Sequence, residues 1–422
     1  MTSQIITLNR LGVAVASDSI STITDGNGDF VANVQNSQKV FDLGDDHKIV
    51  VVNSDSTSIS GAPIYTLLSA WSSGLKEPLP TTWAYMEKFL DWLQEQPLET
   101  FPDSADEFRT FIFDQLRPIS DAVAEQFGGW RPFAENTLQS IATIPEFAKL
   151  YRGALGRKIN AFLRNLESTK VHVFVDQELP PEIQVEMQKQ ACLTFGAEAM
   201  VDLWFPDEAV PKATKLRLKK NIHKVLNRIP VEKETSQSRL AFVGYGSDEI
   251  YPKLWEVGIS SKFGQLVRWR GLGKAELEEG KRSEIYLKAQ TSAIQNFLDG
   301  VHPNFLTDLE HSLPLAVVED RQADFEDPSE LTDDEKDIWL GIGGSISGKL
   351  QKYIEQFKAQ NKSGIVNRLD FMGPSELAQM ARSLLSLEIL ATMNDRGPST
   401  VGGDIVIATI DYRNGVNWIS PK

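Results

Sequence analysis

The chain has 422 residues, of which 41% are hydrophobic and 24% charged, and carries a formal net charge of −15 at pH 7. This is the balance of a globular chain with room for one large or two ordinary domains, and the acidity argues against non-specific nucleic-acid binding over most of the surface. No apolar run is long enough to span a bilayer, and no basic stretch followed by an apolar core opens the sequence, so a cytoplasmic protein without membrane attachment is expected. A single cysteine, Cys192, excludes an intrachain disulfide and reads as a small buried residue on a helix. His47, His172, His223, His302 and His311 show no ligand spacing with Cys192 or with paired carboxylates, so neither a metal nor another cofactor is expected.

In chain order, Thr2 to Thr7 and Val13 to Asp18 flank the break Asn9-Arg10-Leu11-Gly12, which predicts a β-hairpin. Thr2 is small enough for Met1 to be removed ahead of it. That would place a hydroxyl and a free α-amine on one residue, able to act as nucleophile and general base together. Residues 19–38 are polar and read as a loop or a ragged second hairpin turning at Asp25 to Asp29. The calcium-loop order there lacks its bidentate Glu, so calcium is discounted. Lys39 to Leu43 and Lys48 to Asn53 give two more strands, the second apolar on both faces.

Thr2 opening a strand, Asp18 sixteen residues later at the end of the next, and Lys39 before an apolar strand together resemble the proteasome β-subunit and its bacterial HslV-type and Anbu-type relatives. The resemblance implies that Thr2 is the nucleophile and that Asp18 and Lys39 form an ion pair beside it, with Lys39 tuning proton affinity at the site. A polar stretch, Ser54 to Gly61, then leads into an apolar helix over 62–71 and offers free backbone N–H groups. By the resemblance this loop holds the oxyanion, the nearest positions being Asp55 and Ser56, where the family usually has Gly. Helix capping by the same side chains is an equal reading.

Residues 75–236 depart from the family pattern. Helical periodicity at 81–96, 104–127, 134–166, 181–200 and 211–228, with a short β-like run at Val171 to Val175, predicts a mostly helical, aromatic-rich insertion. The basic run Lys212 to Lys220 reads as a solvated helix face, with a docking surface for an acidic partner as the minority reading. Strands return at 239–246, 251–257 and 265–270, and Gly244-Tyr245-Gly246 reads as a turn because it lacks the lysine and helix of a phosphate loop. Residues 285–298 read as a helix. Within it, Thr291 and Ser292 are candidates for the hydroxyl that touches the terminal amine in the family.

Residues 301–370 form a second, helical and acidic insertion, with a long helix over 333–360 weakened by Gly341, Gly343 and Gly344. A periodic helix over 374–393, a loop over 395–404 and a final hairpin close the chain. The family places here an Asp and a Ser that touch the amine, ahead of a Gly-Gly pair. By the resemblance these are Asp395, Ser399 (or Thr400) and Gly402-Gly403.

The expected fold is α+β, an N-terminal-nucleophile (Ntn) hydrolase αββα four-layer sandwich with two antiparallel sheets between helix layers. Its core comprises 1–74, 237–300 and 371–422, with insertions at 75–236 and 301–370. The expected function is a proteasome-like threonine peptidase; the alternatives are an inactive proteasome-like scaffold or binding protein and an Ntn amidase acting on small amides. The implied partners are a polypeptide substrate, other copies in a homo-oligomer whose contacts or cleft cover come from 75–236, and an ATPase or unfoldase. No substrate-binding residue is identified from the sequence.

Overall fold

The computed structural model describes residues 2–24, 30–34, 37–44, 46–127, 145–168, 181–207, 209–227, 237–323, 332–393 and 401–420. The strands are β1 (Ser3–Asn9), β2 (Gly12–Ser17), β3 (Ser21–Thr24), β4 (Phe30–Val34), β5 (Val40–Asp42), β6 (Ile49–Asp55), β7 (Ser58–Ile59) and β8 (Ala62–Pro63), followed by β9 (Ser238–Gly244), β10 (Lys253–Phe263), β11 (Leu266–Glu276), β12 (Ser283–Ala289), β13 (Val406–Asp411) and β14 (Gly415–Trp418). The helices are α1 (Ile64–Ser72), α2 (Thr82–Glu95), α3 (Ser104–Gln126), α4 (Pro145–Ser168), α5 (Pro181–Thr194) and α6 (Ala197–Trp204). They continue with α7 (Lys212–Asn221), α8 (Ser292–Asp299), α9 (Pro303–Gln322), α10 (Asp333–Leu369) and α11 (Pro374–Met393). The protein is thus α+β. It divides into two compact units, one of Met1–Val50, Val243–Leu254 and Ala275–Lys422, the other of Val51–Phe242 and Trp255–Lys274.

The first unit is built on a five-stranded sheet in the order β12-β1-β2-β13-β14, antiparallel throughout. β-branched and small residues fill its two central strands, and the pleat sends alternate side chains to opposite faces. On one face Ile5, Ala14, Ala16, Ile285 and Ile407 pack with Ile294 and Leu298 of α8, Leu369 of α10, and Leu377, Ala378, Ala381, Leu384 and Leu385 of α11. Each large aliphatic side chain so buried contributes roughly 1.5–3 kcal/mol. On the other face Ile6, Leu8, Val13 and Val15 are fully buried as well. Burial on both sides explains why these strands read as apolar runs.

The hairpin turns at Arg10 and Leu11. Asn9 Oδ1 accepts the N–H groups of Leu11 at 2.8 Å and Gly12 at 3.1 Å, while its Nδ2 donates to the carbonyls of Leu369 and Met372. Gly12 is required by close approach, because a Cβ there would lie 2.8 Å from the Ile410 carbonyl oxygen. Both devices pin the register of β1 against β2.

Two expectations for this unit are corrected. Residues 285–289 belong to β12, paired with β1 through Leu287↔Ile5 and Lys288↔Gln4, and the helix begins only at Ser292. The run Ile285-Tyr286-Leu287 satisfies either period, and the open edge of β1 decides it. The second insertion is a helical hairpin of α9 and α10, and α10 runs unbroken for 37 residues to Leu369, past residue 360 and through Gly341, Gly343 and Gly344. A glycine costs a helix interior about 1 kcal/mol. At Gly343 the cost is offset by packing, since a Cβ there would stand 2.5 Å from Pro314 Cα of α9.

The second five-stranded sheet runs β11-β10-β9-β6-β5. Within the second unit, Trp71 of α1 meets Phe89 of α2 edge-on at 5.2 Å and Phe242 of β9 at 6.2 Å. Phe108, Phe111 and Ile112 of α3, Leu155 and Ile159 of α4, and Phe205 close one core with Phe263 of β10 and Leu266. Among the described residues, these aromatics of the insertion share one core with the returning strands β10 and β11. Further details differ from expectation. The helix expected over 181–200 breaks at Gly196, which takes φ +70, and the polar stretch before α1 first makes the short hairpin β7–β8, so it does not open that helix directly. The β-like run at 171–175 lies outside the described residues.

Candidate active site

The site is assembled by the β1–β2 register. Gln4 faces Ser17, so Ser3 and Asp18 meet at the open end of the hairpin, and the sixteen-residue interval between Thr2 and Asp18 is two strands and a two-residue turn. Asp18 N–H donates to the Ser3 carbonyl at 3.2 Å, and Ser3 N–H donates to Asp18 Oδ1 at 3.0 Å. The Thr2 carbonyl in turn accepts the Gln290 N–H at 2.8 Å, just beyond β12. Thr2 is thereby fixed through the main chain on both sides, between the end of β12 and the carboxylate of Asp18.

Lys39, immediately ahead of β5, reaches the same carboxylate: Nζ lies 2.8 Å from Asp18 Oδ1 and also donates to the Ile20 carbonyl. The other oxygen, Oδ2, accepts the Gly402 N–H at 3.3 Å, and the Gly402 carbonyl accepts the N–H groups of Ser19 and Ile20. The Gly402-Gly403 pair thus closes onto the residues after β2. Gly403 has φ +75, and a Cβ on it would stand 2.5 Å from Ser19 Oγ, so the close approach demands glycine.

The side chains of Asp18 and Lys39 are 0% and 3% exposed. Burial pushes the Asp18 carboxyl above its ordinary range, opposed by Lys39 and by the Ser3 and Gly402 N–H groups. Burial likewise holds the Lys39 ammonium below the ordinary lysine range, opposed by Asp18. Burial thus works against the charge on both groups, and each opposes that shift in the other. Lys39 is linked to the residue after Thr2 through Asp18, whose Oδ1 takes both the Lys39 ammonium and the Ser3 N–H.

Of the remaining expected residues, Asp395 and Ser399, with Thr400, lie outside the described residues. Asp55 and Ser56 belong to the second unit. There Asp55 ends β6 with φ +66 and pairs with Arg239 at 2.9 Å, while the Ser56 N–H already donates to the Gln237 carbonyl at 3.3 Å. Thr291 precedes α8, and Ser292 Oγ is directed to Glu388 at 3.4 Å.

Glu388 belongs to no motif in the sequence. It is fully buried on α11 and accepts the N–H groups of Ala293 at 2.9 Å and Ile294 at 3.2 Å, so one helix caps the first turn of another. Its signal was present: Glu388 occupies the phase of Leu377, Ala381, Leu384 and Leu385, where an apolar residue is due. Through α8 it steadies the segment that holds the Thr2 carbonyl.

Elsewhere the chemistry-bearing groups are engaged structurally. Cys192 is buried and its thiol is pushed up to about 12 by burial. In the basic run, Lys215 pairs with Asp202 and Asp207, and Lys219 with Asp202. Gly244 ends β9 and approaches the Lys48 carbonyl so closely that a Cβ would collide with it, so the glycine there serves packing against the chain ahead of β6. Among the described residues, no group of three or more His, Cys, Asp or Glu side chains is placed to hold a metal ion, and no helix is long and apolar enough to cross a membrane. No protein-family model matches the chain, and no curated protein matches it.

Proposed function

We propose that the protein is a proteasome-like threonine peptidase in which Thr2, once it is the first residue, attacks peptide carbonyls. The observation that carries this reading is the buried Lys39–Asp18 pair at the open end of the hairpin, with Asp18 bonded to the amide that follows Thr2. The Thr2 α-amine, with an ordinary pKa near ~7.7–8.0, accepts the hydroxyl proton. The positive charge of Lys39 disfavours a second cation nearby and so keeps that amine neutral. Bond formation from Thr2 Oγ1 to the carbonyl carbon is followed by departure of the peptide amine, which takes the proton back from the Thr2 ammonium. Water then hydrolyses the ester and frees Thr2. A sheet buried on both faces, with α8 and α11 on one of them, supports the αββα sandwich as the host fold. The same reading makes polypeptides the substrates and a homo-oligomer in the cytoplasm the working form, with an unfoldase as its feeder.

The test is a mass measurement of the N-terminus paired with hydrolysis of a disordered protein and of small amides. Activity is expected to track the fraction of chains beginning at Thr2, and Thr2→Ala is expected to abolish it while leaving the fold intact. Wild-type-like turnover by Thr2→Ala, or activity in a preparation where every chain retains residues ahead of Thr2, would overturn the assignment. Turnover of small amides alone would redirect it to an amidase. A free Thr2 inert toward substrates and Thr-directed electrophiles would make the protein a scaffold.

A further inference from the structure

Thr81 and Thr332 show how a threonine starts a helix in this chain. Thr81, ahead of α2, has φ −136 and ψ 157, and its hydroxyl accepts the Ala84 N–H at 3.0 Å. Thr332, ahead of α10, has φ −68 and ψ 158, and its hydroxyl accepts the Glu335 N–H at 3.3 Å. Extended backbone with a side-chain bond to the second or third helical N–H is the usual form of such a cap. Thr291 stands at the same position ahead of α8 and does neither: its φ is −146, its ψ is 25, and its side chain makes no cap bond.

The duty has passed to Glu388. The N–H groups of Ala293 and Ile294, second and third in α8 and the ones a capping hydroxyl accepts, donate to Glu388 Oε2 at 2.9 and 3.2 Å. Ser292 Oγ donates to Oε1 of the same carboxylate at 3.4 Å. For the Thr291 hydroxyl to cap α8 instead, its ψ would have to turn from 25 to the neighbourhood of the 157 and 158 of Thr81 and Thr332. That rotation swings the chain before Thr291 against the chain after it. Ile294 and Leu298 anchor α8 in the core with α11, so the part that moves is Gln290 and the end of β12.

This moving part carries the bond to Thr2. The Gln290 N–H donates to the Thr2 carbonyl at 2.8 Å, directly after Ala289, whose φ of +62 is a left-handed conformation that a residue with a Cβ adopts under strain. Strain of this kind persists only where the surroundings fix it. Here the pairing of β12 with β1 fixes one side of the corner and the first turn of α8 the other. We propose that Glu388 is a positioning residue of the Thr2 site: by capping α8 itself it keeps Thr291 out of the cap, and so preserves the corner at 289–291 that delivers the Gln290 N–H to the Thr2 carbonyl. Its effect on turnover rests on Thr2 being the nucleophile, while its effect on the corner does not.

The test is residue-resolved amide hydrogen exchange on the full chain, with peptide hydrolysis measured beside it. In Glu388→Ala the Thr291 hydroxyl takes over the cap, so exchange at Gln290 should quicken ~10-fold or more and that at Ala293 and Ile294 by less. Adding Thr291→Val, which keeps the shape and removes the hydroxyl, should bring Gln290 back toward the wild-type rate while Ala293 and Ile294 quicken further. Glu388→Gln, whose carbonyl oxygen still accepts, should leave Gln290 within ~3-fold of wild type. Thr291→Asn sets a stronger cap in competition with an intact Glu388 and should also quicken Gln290, which serves where Glu388→Ala does not fold. In hydrolysis, Glu388→Ala should lower kcat ~10-fold with KM little changed, and Glu388→Gln should recover it. A Gln290 rate that stays at the wild-type value in Glu388→Ala, or in Thr291→Asn where Glu388→Ala is unfolded, overturns the proposal. So does a Gln290 rate that quickens in Glu388→Ala and is not slowed by adding Thr291→Val, since Glu388 would then only hold two helices together. The expected exchange pattern in a chain whose wild type hydrolyses nothing would uphold the corner and overturn the reading of Thr2.

Discussion

Removing the cation from the buried pair isolates the energetics of the site from its chemistry. In Lys39→Met the Asp18 carboxylate, with no exposed surface, keeps the N–H groups of Ser3 and Gly402 but loses its only counter-charge among the partners described above. Breaking a buried pair on one side costs about 3–5 kcal/mol, which multiplies the unfolded fraction between about a hundred- and several-thousand-fold. The two retained N–H groups favour the lower end. The pH dependence follows from the direction of the Asp18 shift. Its folded value is already raised above the ordinary 3.8 by burial, and losing Lys39 raises it further. A carboxyl raised in the folded state binds its proton more tightly there than in the unfolded chain, so its contribution to stability is present at low pH and lost as pH rises through the folded value. The deficit of Lys39→Met relative to wild type should therefore shrink between pH 7 and pH 5. Urea unfolding at both values is the assay, on wild type, Lys39→Met, Asp18→Asn and the double variant. The double variant should recover more than half of the single-variant loss, because the orphaned charge is gone. A loss below the ~1 kcal/mol typical of exposed pairs, or one that grows on acidification, would refute the reasoning.

Two further substitutions examine the elements that support the site. Gly403→Ala should cost about 1–3 kcal/mol, combining an unfavourable φ with a contact at the Ser19 hydroxyl; an unchanged urea midpoint would show that the loop relaxes freely. Glu388→Ala should speed amide exchange at Ala293 and Ile294 and cost about 1–3 kcal/mol. Glu388→Gln should be milder, since its carbonyl oxygen still accepts, and equal effects from the two changes would deny the capping role.

What was legible in the sequence was mostly local. The alternation on both sides of Asn9-Arg10-Leu11-Gly12 specifies a hairpin, and the hairpin by itself brings Thr2 beside Asp18, because register follows from turn length. The placement of Lys39 against that carboxylate is a long-range fact, and only the resemblance anticipated it. Residues 285–289 show the limit of periodicity: five residues of mixed character have no preferred period until β1 offers its edge. Glu388 shows another limit. A glutamate in an apolar phase is visible as an exception, but its three partners at the start of α8 become neighbours only when the helices pack. At Gly343 the course of α10 likewise depends on α9, whose Pro314 leaves no room for a Cβ there.

The bonds that hold Thr2 in place are made by its own carbonyl and by the amide of Ser3, groups every residue but proline possesses. Position and reactivity are therefore carried by different parts of the chain: the address is written in the backbone and the chemistry in the side chain. Serine or cysteine at position 2 would be delivered to the same spot by the same bonds, so on the proposed reading one scaffold would present a series of nucleophiles. For the same reason the spot is laid out before any amine is uncovered at Thr2, so maturation of such a site would be an unmasking that asks for no rearrangement around it.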